Sequence, residues 1–179
     1  KERLYEAMEE TTKYFENNLK NNNEVLGYLK SRGLNEKSIK DFRIGFVKND
    51  WRELHSYLTS RGFSDSELEK AGLVKRIEKA KSAESGSPDP HSGFRGMYDR
   101  FRGRIMFPIS DSSGRIIAFS GRIFIDDGKS AKYLNSPAPP IFNKSSALFG
   151  IDKAKEAIRK NDFSILVEGQ MDLILSHQA

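Results

Sequence analysis

The stretch GRIMFPISDSSGRIIAFSGRIF, residues 103–124, decides the fold of this chain. Two runs rich in isoleucine and phenylalanine, 104–109 and 115–120, lie on either side of the five residues from Ser110 to Gly114. Serine, aspartate and glycine favour turns, so a connection this short predicts a β-hairpin. The two runs are therefore predicted to be paired, antiparallel strands.

Upstream of the hairpin, apolar residues recur at helical spacing in several short segments. Asp50 with Glu53, and Ser64 with Glu67, have the spacing of a capping box at the start of a helix. The segment RIGFV is strand-like instead. The sequence therefore predicts helices over 1–20, 21–33, 35–42, 49–62 and 64–72, and a strand over 43–47.

The composition changes at KAKSAESGSPDPHSG, residues 79–93, where serine, proline, glycine and charged residues dominate. Such a segment has too few apolar side chains to pack into a core, so it is predicted to be a mobile surface loop. Beyond the hairpin, KYLNSP predicts a further strand and residues 151–160 an amphipathic helix. The apolar run 164–167 predicts a strand buried on both faces of a parallel sheet. A last helix is predicted to start near Met171.

The overall composition is that of a soluble globular protein. Of the 179 residues, 37% are hydrophobic, and no apolar run reaches the roughly 18–20 residues that span a membrane. Because the sequence has no cysteine, disulfides, thiol catalysis and cysteine-ligated zinc are excluded from it, and the three histidines show no ligand spacing. A cytoplasmic location fits this composition. The net charge of +5 favours polyanionic partners.

Basic and aromatic residues are concentrated around the hairpin. Guanidinium groups bind phosphate oxygens and aromatic rings stack on bases, so this chemistry suits a single-stranded nucleic acid. A solvated basic face is the alternative for any one of these residues, but a sheet can gather many of them on one surface. The candidates are Arg95, Tyr98, Arg100, Phe101, Arg102, Arg104, Arg122, Lys129, Lys132, Tyr133 and Lys144.

The sequence SILVEGQMDLIL, residues 164–175, places Glu168 and Gly169 between two apolar segments. If the first segment is a parallel strand, Glu168 lies at its carboxyl end, where open α/β sheets bind their ligands. Gly169 permits a tight turn and a close approach of a substrate. From these residues alone a second interpretation stays open, in which Glu168 only caps the helix that follows.

Four blocks of the sequence together resemble bacterial DnaG-type DNA primase: YDRFRGRIMFPISDSSGRIIAFSGR, KYLNSP, IFNKSSALFG and LVEGQMD. They occur in this order between residues 98 and 172, and the helical region before them is compatible with the same family. The resemblance implies an α+β fold. A mixed α/β N-terminal primase core subdomain would occupy residues 1–144, and the truncated first β-α unit of a TOPRIM domain would occupy residues 145–179.

The resemblance also implies which residues act. In the family, a basic face of the first subdomain holds the template strand and the product. Glu168 matches the glutamate of the family's EGxxD motif, which helps to hold catalytic Mg²⁺ or acts as general base on the attacking 3′-hydroxyl. Asp172 is expected to be a structural partner of the helix start. The residues in or beside the nucleic-acid-binding motifs are Arg100, Arg102, Arg104, Arg122, Lys132, Tyr133, Asn135 and Lys144.

By the same resemblance, the complete enzyme is a DNA-dependent RNA polymerase that makes short RNA primers for DNA replication. Its expected partners are single-stranded DNA template, the RNA primer/DNA hybrid and NTPs, without a membrane; a replicative helicase and single-stranded-DNA-binding protein would bind other regions. Mg²⁺ (or Mn²⁺) is the implied cofactor, and zinc is expected only in a domain absent here. Because the family's Asp-x-Asp cluster would follow residue 179, this chain is expected to bind DNA but to be inactive alone.

Two other functions stay open from the sequence. The first is another TOPRIM enzyme, such as a phage or mobile-element primase, a topoisomerase or a nuclease, although KYLNSP and IFNKSSALFG favour primase. The second is a non-catalytic nucleic-acid-binding module. The chain departs from the family at Gln170, where an aromatic residue is common, and this difference concerns local packing more than chemistry.

Overall fold

The computed structural model describes residues 1–76, 96–145 and 147–179. The helices in these ranges are α1 (Glu2–Lys20), α2 (Asn23–Ser31), α3 (Glu36–Asp41), α4 (Glu53–Ser60), α5 (Asp65–Lys70), α6 (Ile151–Asn161) and α7 (Gln170–Gln178). The strands are β1 (Gly45–Val47), β2 (Val74–Arg76), β3 (Met97–Asp99), β4 (Arg104–Ser110), β5 (Ile116–Ile123) and β6 (Tyr133–Asn135).

Four of these strands form an antiparallel sheet in the order β1-β4-β5-β6. The predicted hairpin is its centre: Arg104 pairs with Ile123 at the open end, and the register shifts at Ile109/Ser110 beside the turn. The predicted KYLNSP strand is β6, at one edge. Strands β2 and β3, which sequence reasoning does not predict, form a separate antiparallel pair. The α+β fold is therefore confirmed.

Helices cover both faces of the sheet. Successive residues of a strand point to opposite sides, so neighbouring residues of β4 belong to two different cores. Met106 of β4 belongs to a core with apolar residues of α1, α4 and α5. Its neighbours Ile105 and Phe107 belong to a second core with residues of α2, α3 and α7. The hairpin thus lies between two helical layers, and α7 is part of the second one.

The two predicted capping boxes have different outcomes. In α5 the box is complete, since Ser64 Oγ accepts from the Glu67 backbone N–H and Glu67 Oε2 accepts from the Ser64 N–H at 2.8 Å. At α4, Asp50 Oδ1 accepts from the Glu53 N–H at 2.8 Å, but the Glu53 carboxylate binds Lys48 Nζ at 2.9 Å. The second box is therefore only half formed.

The first turn of α4 is capped from a distant strand. Asp99 at the end of β3 accepts hydrogen bonds from the backbone N–H groups of Leu54 and His55, both at 2.9 Å. Its side chain is 1% exposed. Burial raises the pKa of Asp99 to about 6, although these two hydrogen bonds act against the shift. The start of α4 thus depends on a carboxylate 45 residues away.

We expect ionisation of Asp99 to lower the stability of the chain as the pH rises. The pKa of Asp99 in the folded chain lies above the value of about 3.9 in an unfolded chain, so the folded state holds the proton more tightly. This contribution is complete below about pH 4 and is lost between about pH 4 and about pH 6, and a shift of about two units corresponds to about 3 kcal/mol. Denaturant unfolding of Asp99→Asn and the unchanged chain at both ends of this window measures it. As the pH rises, the free energy of unfolding of Asp99→Asn should increase relative to that of the unchanged chain. A difference that stays constant would contradict the assignment.

The predicted strand over 164–167 is wrong. Residues 163–167 have no regular secondary structure, and Ile165 and Leu166 are 78% and 85% exposed. A strand needs a neighbouring ladder for its backbone N–H and C=O groups, and no strand in the described ranges pairs with this segment. The helix predicted to start near Met171 does form, as α7.

The predicted surface loop, residues 79–93, lies outside the described residues. Within the part of the chain that is described, no helix has the length and apolar character to cross a lipid bilayer.

Candidate nucleic-acid interface

One face of the β5–β6 edge brings together three of the predicted nucleic-acid-binding residues. Arg122 lies opposite Tyr133, and Ser120 lies opposite Asn135, and residues directly opposite each other point to the same side. Ser120 and Arg122 are two residues apart in β5, so all four side chains share one side of the sheet. We call Ser120, Arg122, Tyr133 and Asn135 the β5–β6 face.

Arg122 is held in place by a tyrosine of α2. Its guanidinium donates a hydrogen bond to the Tyr28 hydroxyl and lies over the same ring, 5.4 Å from the ring centroid. Tyr28 packs edge-on against Phe124, with 5.6 Å between the ring centroids. Because a guanidinium carries five N–H donors, this contact orients Arg122 and still leaves donors for an anion. Tyr133, across the strand, is 38% exposed and can offer its ring to a base.

Arg104 lies behind this face. The side chain is 6% exposed, and its guanidinium donates to the carbonyl oxygens of Gly121 at 3.0 Å, Ala131 at 2.9 Å and Lys132 at 3.4 Å. These bonds tie the segment before β6 to the hairpin. In this arrangement Arg104 fixes the backbone that carries Lys132.

Arg100 and Arg102 are both half-buried, and Arg100 contacts the edge strand β6. The Arg102 guanidinium lies 3.7 Å from the ring centroid of Trp51 and donates to the carbonyl of Asp99. Arg100 donates to the carbonyl of Asn135 at 3.2 Å, and its buried Nε has no hydrogen-bond partner among the described residues. Burial lowers the pKa of both guanidinium groups. An anion close to either group would offset this loss of solvation.

Other predicted cations are freely accessible. Lys132 immediately precedes β6, and Lys144 lies in the turn region between β6 and α6; both are exposed. Lys129, in the connection from β5 to β6, is exposed as well. Arg95 lies outside the described residues.

The turn that carries Glu168 adjoins the β5–β6 face. Glu168 is exposed, and Gly169 is the residue at the start of α7. Gln170 Nε2 donates to Ser120 Oγ at 3.0 Å, which places the first residue of α7 against the middle of β5. Asp172 lies back over the turn: a Cβ on Gly169 would be 2.7 Å from its Oδ2. The structure therefore brings the Glu168 turn and the β5–β6 face together.

An open groove of about 500 Å³ borders this turn. It runs between α6, residues 163–167 and α7, and Glu168 is one of its lining residues. Much of its wall is apolar, including the exposed side chains of Phe163, Ile165 and Leu166.

A metal ion would find few protein ligands in the residues described. Within 1–76, 96–145 and 147–179, no three His, Asp or Glu side chains are grouped as a metal site requires. Glu168 offers carboxylate oxygens, which are the hard ligands that Mg²⁺ prefers, and Mg²⁺ commonly takes only one or two carboxylates from a protein. Glu168 thus fits as one ligand of a shared site.

Sequence reasoning does not identify the residues that orient this site. Tyr28 acts on Arg122 across 94 residues, and Ser120 acts on Gln170 across 50. No local pattern marks such contacts. The one signal in the sequence is Gln170 itself, at a position where the resembling family commonly has an aromatic residue.

The chain matches known proteins over nearly its whole length. A family model described as DNA primase catalytic core, N-terminal domain, matches residues 14–155. The DNA primase of Clostridium acetobutylicum is 39% identical over 179 residues, which are 99% of this chain and 26% of that protein. The DNA primase of Listeria monocytogenes is 42% identical over 156 residues, 87% of this chain and 22% of that protein.

Solved structures agree with this match. The RNA polymerase domain of Mycobacterium tuberculosis primase DnaG, in complex with double-stranded DNA, superposes with a TM-score of 0.86 at 31% identity. That alignment covers 99% of this chain and 52% of the other. A DnaG primase catalytic domain bound to single-stranded DNA superposes with a TM-score of 0.75 at 32% identity, over 97% of this chain and 49% of the other.

The fold is thus that of a primase catalytic core. The chain belongs to the family of the DNA primase catalytic core, N-terminal domain, of the bacterial DnaG type. The resemblance of the four sequence blocks is confirmed. The chain spans about a quarter of the length of the curated relatives that it matches.

Proposed function

We propose that this chain is the template-binding part of a bacterial primase, an enzyme that synthesises short RNA primers on single-stranded DNA for replication. One observation carries the proposal: the β5–β6 face holds Arg122, Tyr133 and Asn135 on one side of the sheet, directly beside the turn with Glu168. A basic and aromatic surface next to a carboxylate is what template-directed nucleotidyl transfer requires.

The proposed contacts with nucleic acid follow from exposure and chemistry. Arg122, Lys132 and Lys144 would bind backbone phosphates, the Tyr133 ring would stack on a base, and Asn135 would add a polar contact. Arg100, beside β6, and Arg102 would also attract phosphate, since both guanidinium groups are incompletely solvated. Arg104 would support this surface through the backbone. The related DnaG domain bound to single-stranded DNA supports the same type of ligand.

Glu168 is the proposed catalytic residue. It would either accept the proton of the attacking 3′-hydroxyl or supply one oxygen ligand to Mg²⁺ (or Mn²⁺), and its exposure leaves it open to both partners. When bound, the ion would neutralise the charge that develops on the triphosphate. The remaining carboxylates would be the Asp-x-Asp cluster that the family resemblance implies.

The proposed domain organisation assigns residues 1–144 to the primase N-terminal subdomain and residues 145–179 to the start of a TOPRIM domain. The exposed apolar groove beside α6 and α7 supports this assignment, because a further strand of a TOPRIM sheet would cover it. NTPs and the RNA primer/DNA hybrid would bind at the joined domains. Zinc, the replicative helicase and single-stranded-DNA-binding protein would be contacted by other regions, and the whole protein would act in the cytoplasm.

We expect the 179-residue chain to bind single-stranded DNA in a salt-dependent manner. Each phosphate contacted by a lysine or arginine contributes about −0.7 to the slope of log K against log salt. Arg122→Ala combined with Lys132→Ala should weaken binding by about tenfold or more and should reduce the slope by about 1.4. Fluorescence anisotropy of a labelled oligonucleotide, titrated at several salt concentrations, measures both quantities.

A matched control variant removes the same charge from the other helical layer. Lys13 on α1 and Arg61 at the end of α4 both pair with Glu10. These helices lie on the opposite side of the sheet from the β5–β6 face. Lys13→Ala combined with Arg61→Ala should leave the slope unchanged. Equal losses in the two double variants would mean that net charge alone drives binding, and a salt-independent affinity would contradict the proposed interface.

A further inference from the structure

Helix α7 is fastened to the rest of the chain at both of its ends. At its first residue, Gln170 Nε2 donates to the hydroxyl of Ser120, whose side chain is fully buried in β5. At its last residue, Gln178 makes two bonds to the backbone between α2 and α3: its Oε1 accepts from the Asn35 N–H and its Nε2 donates to the Gly33 carbonyl, both at 2.9 Å. One amide side chain thus holds each end.

The middle of α7 is packed between these two anchors. Met171 and Ile174 are 7% and 0% exposed and belong to the core shared by α2, α3 and β4. A Cβ on Gly150 would be 2.8 Å from Leu173 Cδ2, so the start of α6 also approaches α7 closely. The preceding segment is different, because Ile165 and Leu166 are almost fully exposed.

This contrast indicates that the helix after Glu168, and not the segment before it, fixes its position. Most residues of the segment before Glu168 are exposed, whereas the residues after it begin a helix that is bonded to β5. Ser120, the residue bonded to Gln170, is also part of the β5–β6 face. The Gln170–Ser120 hydrogen bond thus joins the start of α7, next to Glu168, to the face that carries Arg122 and Tyr133.

We infer that Gln170 and Ser120 are positioning residues, which fix the position of Glu168 relative to the β5–β6 face. Gln178 supports them at the far end of the same helix. This inference rests on the proposed function, since it assigns Glu168 to the chemistry and the β5–β6 face to the template. It adds that a side-chain hydrogen bond of this chain sets the position of Glu168 relative to the β5–β6 face.

The test uses a full-length primase that contains these residues, assayed for primer synthesis on single-stranded DNA. Gln170→Met keeps the length of the side chain and removes the amide. Because misplacing a catalytic group by about 1 Å can cost about 100-fold in rate, we expect kcat to fall by at least about tenfold. KM for NTP and the Kd for single-stranded DNA should stay within about twofold, because binding contacts are unchanged. The Mg²⁺ concentration for half-maximal synthesis should rise.

A double-variant cycle tests whether Gln170 acts through Ser120. Ser120→Ala should lower kcat as Gln170→Met does, and the combined variant should be no slower than either single one, because both remove the same bond. Gln178→Met should lower kcat in the same direction by a smaller factor. Glu156→Gln, at an exposed position of α6 that does not line the groove, is the control and should leave kcat unchanged.

Each outcome has a definite meaning. If kcat and melting temperature are unchanged in both Gln170→Met and Ser120→Ala, and Glu168→Gln is inactive, the inference is overturned and the proposed function stands. A parallel loss of kcat, DNA binding and melting temperature in both variants would also overturn it, since that is the pattern of a purely structural bond. If Glu168→Gln itself retains full synthesis, the proposed function fails and the inference fails with it.

Discussion

Replacing Gly45 with alanine should destabilise the folded chain by about 3 kcal/mol or more, a large part of the stability of an ordinary domain. A Cβ on Gly45 would lie 2.4 Å from Phe15 Cβ and 2.7 Å from the Phe15 carbonyl carbon. Both are closer than non-bonded atoms can approach, and the second belongs to the backbone of α1, which cannot rotate away. The backbone of β1 therefore lies directly on α1, and the methyl group would push the two elements apart.

The expected damage would extend beyond the contact itself. Gly45 pairs with Met106 of the central hairpin, and Phe15 packs edge-on against Phe119, with 5.3 Å between the ring centroids. A shift of α1 would open this core, and a shift of β1 would disturb the sheet. Either response loses close-packed contacts, which is why overpacking against backbone costs more than overpacking against a flexible side chain.

Chemical denaturation followed by circular dichroism measures this effect, with Gly27→Ala as the matched control. Gly27 lies within α2, and a Cβ there would meet no atom within 4 Å. Alanine is a better helix former than glycine, so Gly27→Ala should stabilise the chain by up to about 1 kcal/mol. Equal effects of the two substitutions would mean that the close contact of β1 with α1 is not present in solution.

Features that depend on neighbouring residues could be predicted from the sequence. The hairpin follows from two apolar runs and a short turn, and the α5 capping box follows from Ser64 and Glu67 at the required spacing. The four ordered blocks then sufficed to recognise the family. In each case the relevant residues are close in sequence, so the pattern itself carries the physical cause.

Features that depend on distant residues could not be predicted in the same way. Asp99 caps α4 from 45 residues away, and the Arg104 guanidinium donates hydrogen bonds to carbonyl oxygens of the segment before β6. A basic residue in a motif does not reveal whether it faces solvent or the backbone of its own chain. The strand over 164–167 failed for a related reason: an apolar run becomes a strand only when another strand is beside it.

For the candidate site, the sequence provides the residue types, and the fold determines their arrangement. Arg122, Tyr133 and Asn135 come from two separate segments, yet the β5–β6 register places them on one side of the sheet. Tyr28 and Gln170, which orient Arg122 and the Glu168 turn, carry no motif of their own. Their roles become visible only when the helices are docked on the sheet.

Replacing Glu168 with glutamine should reduce primer synthesis by a full-length primase containing these residues by about 10²- to 10⁴-fold, the usual contribution of a general acid or base. Glutamine has nearly the same shape but neither accepts a proton nor provides an anionic ligand for Mg²⁺. Since Glu168 is exposed and lies before α7, the substitution should leave the fold unchanged. The loss should therefore appear in kcat, with single-stranded DNA binding retained.

The control for this prediction is Asp172→Asn, on the first turn of the same helix. Asp172 lies over Gly169, and it is assigned to the structure of the turn, so its amide variant should retain most of the synthesis rate. Primer synthesis and DNA binding measured side by side separate the alternatives. Loss of synthesis in Glu168→Gln alone assigns the chemistry to this carboxylate, whereas equal activity in both variants and the unchanged enzyme would remove Glu168 from the reaction.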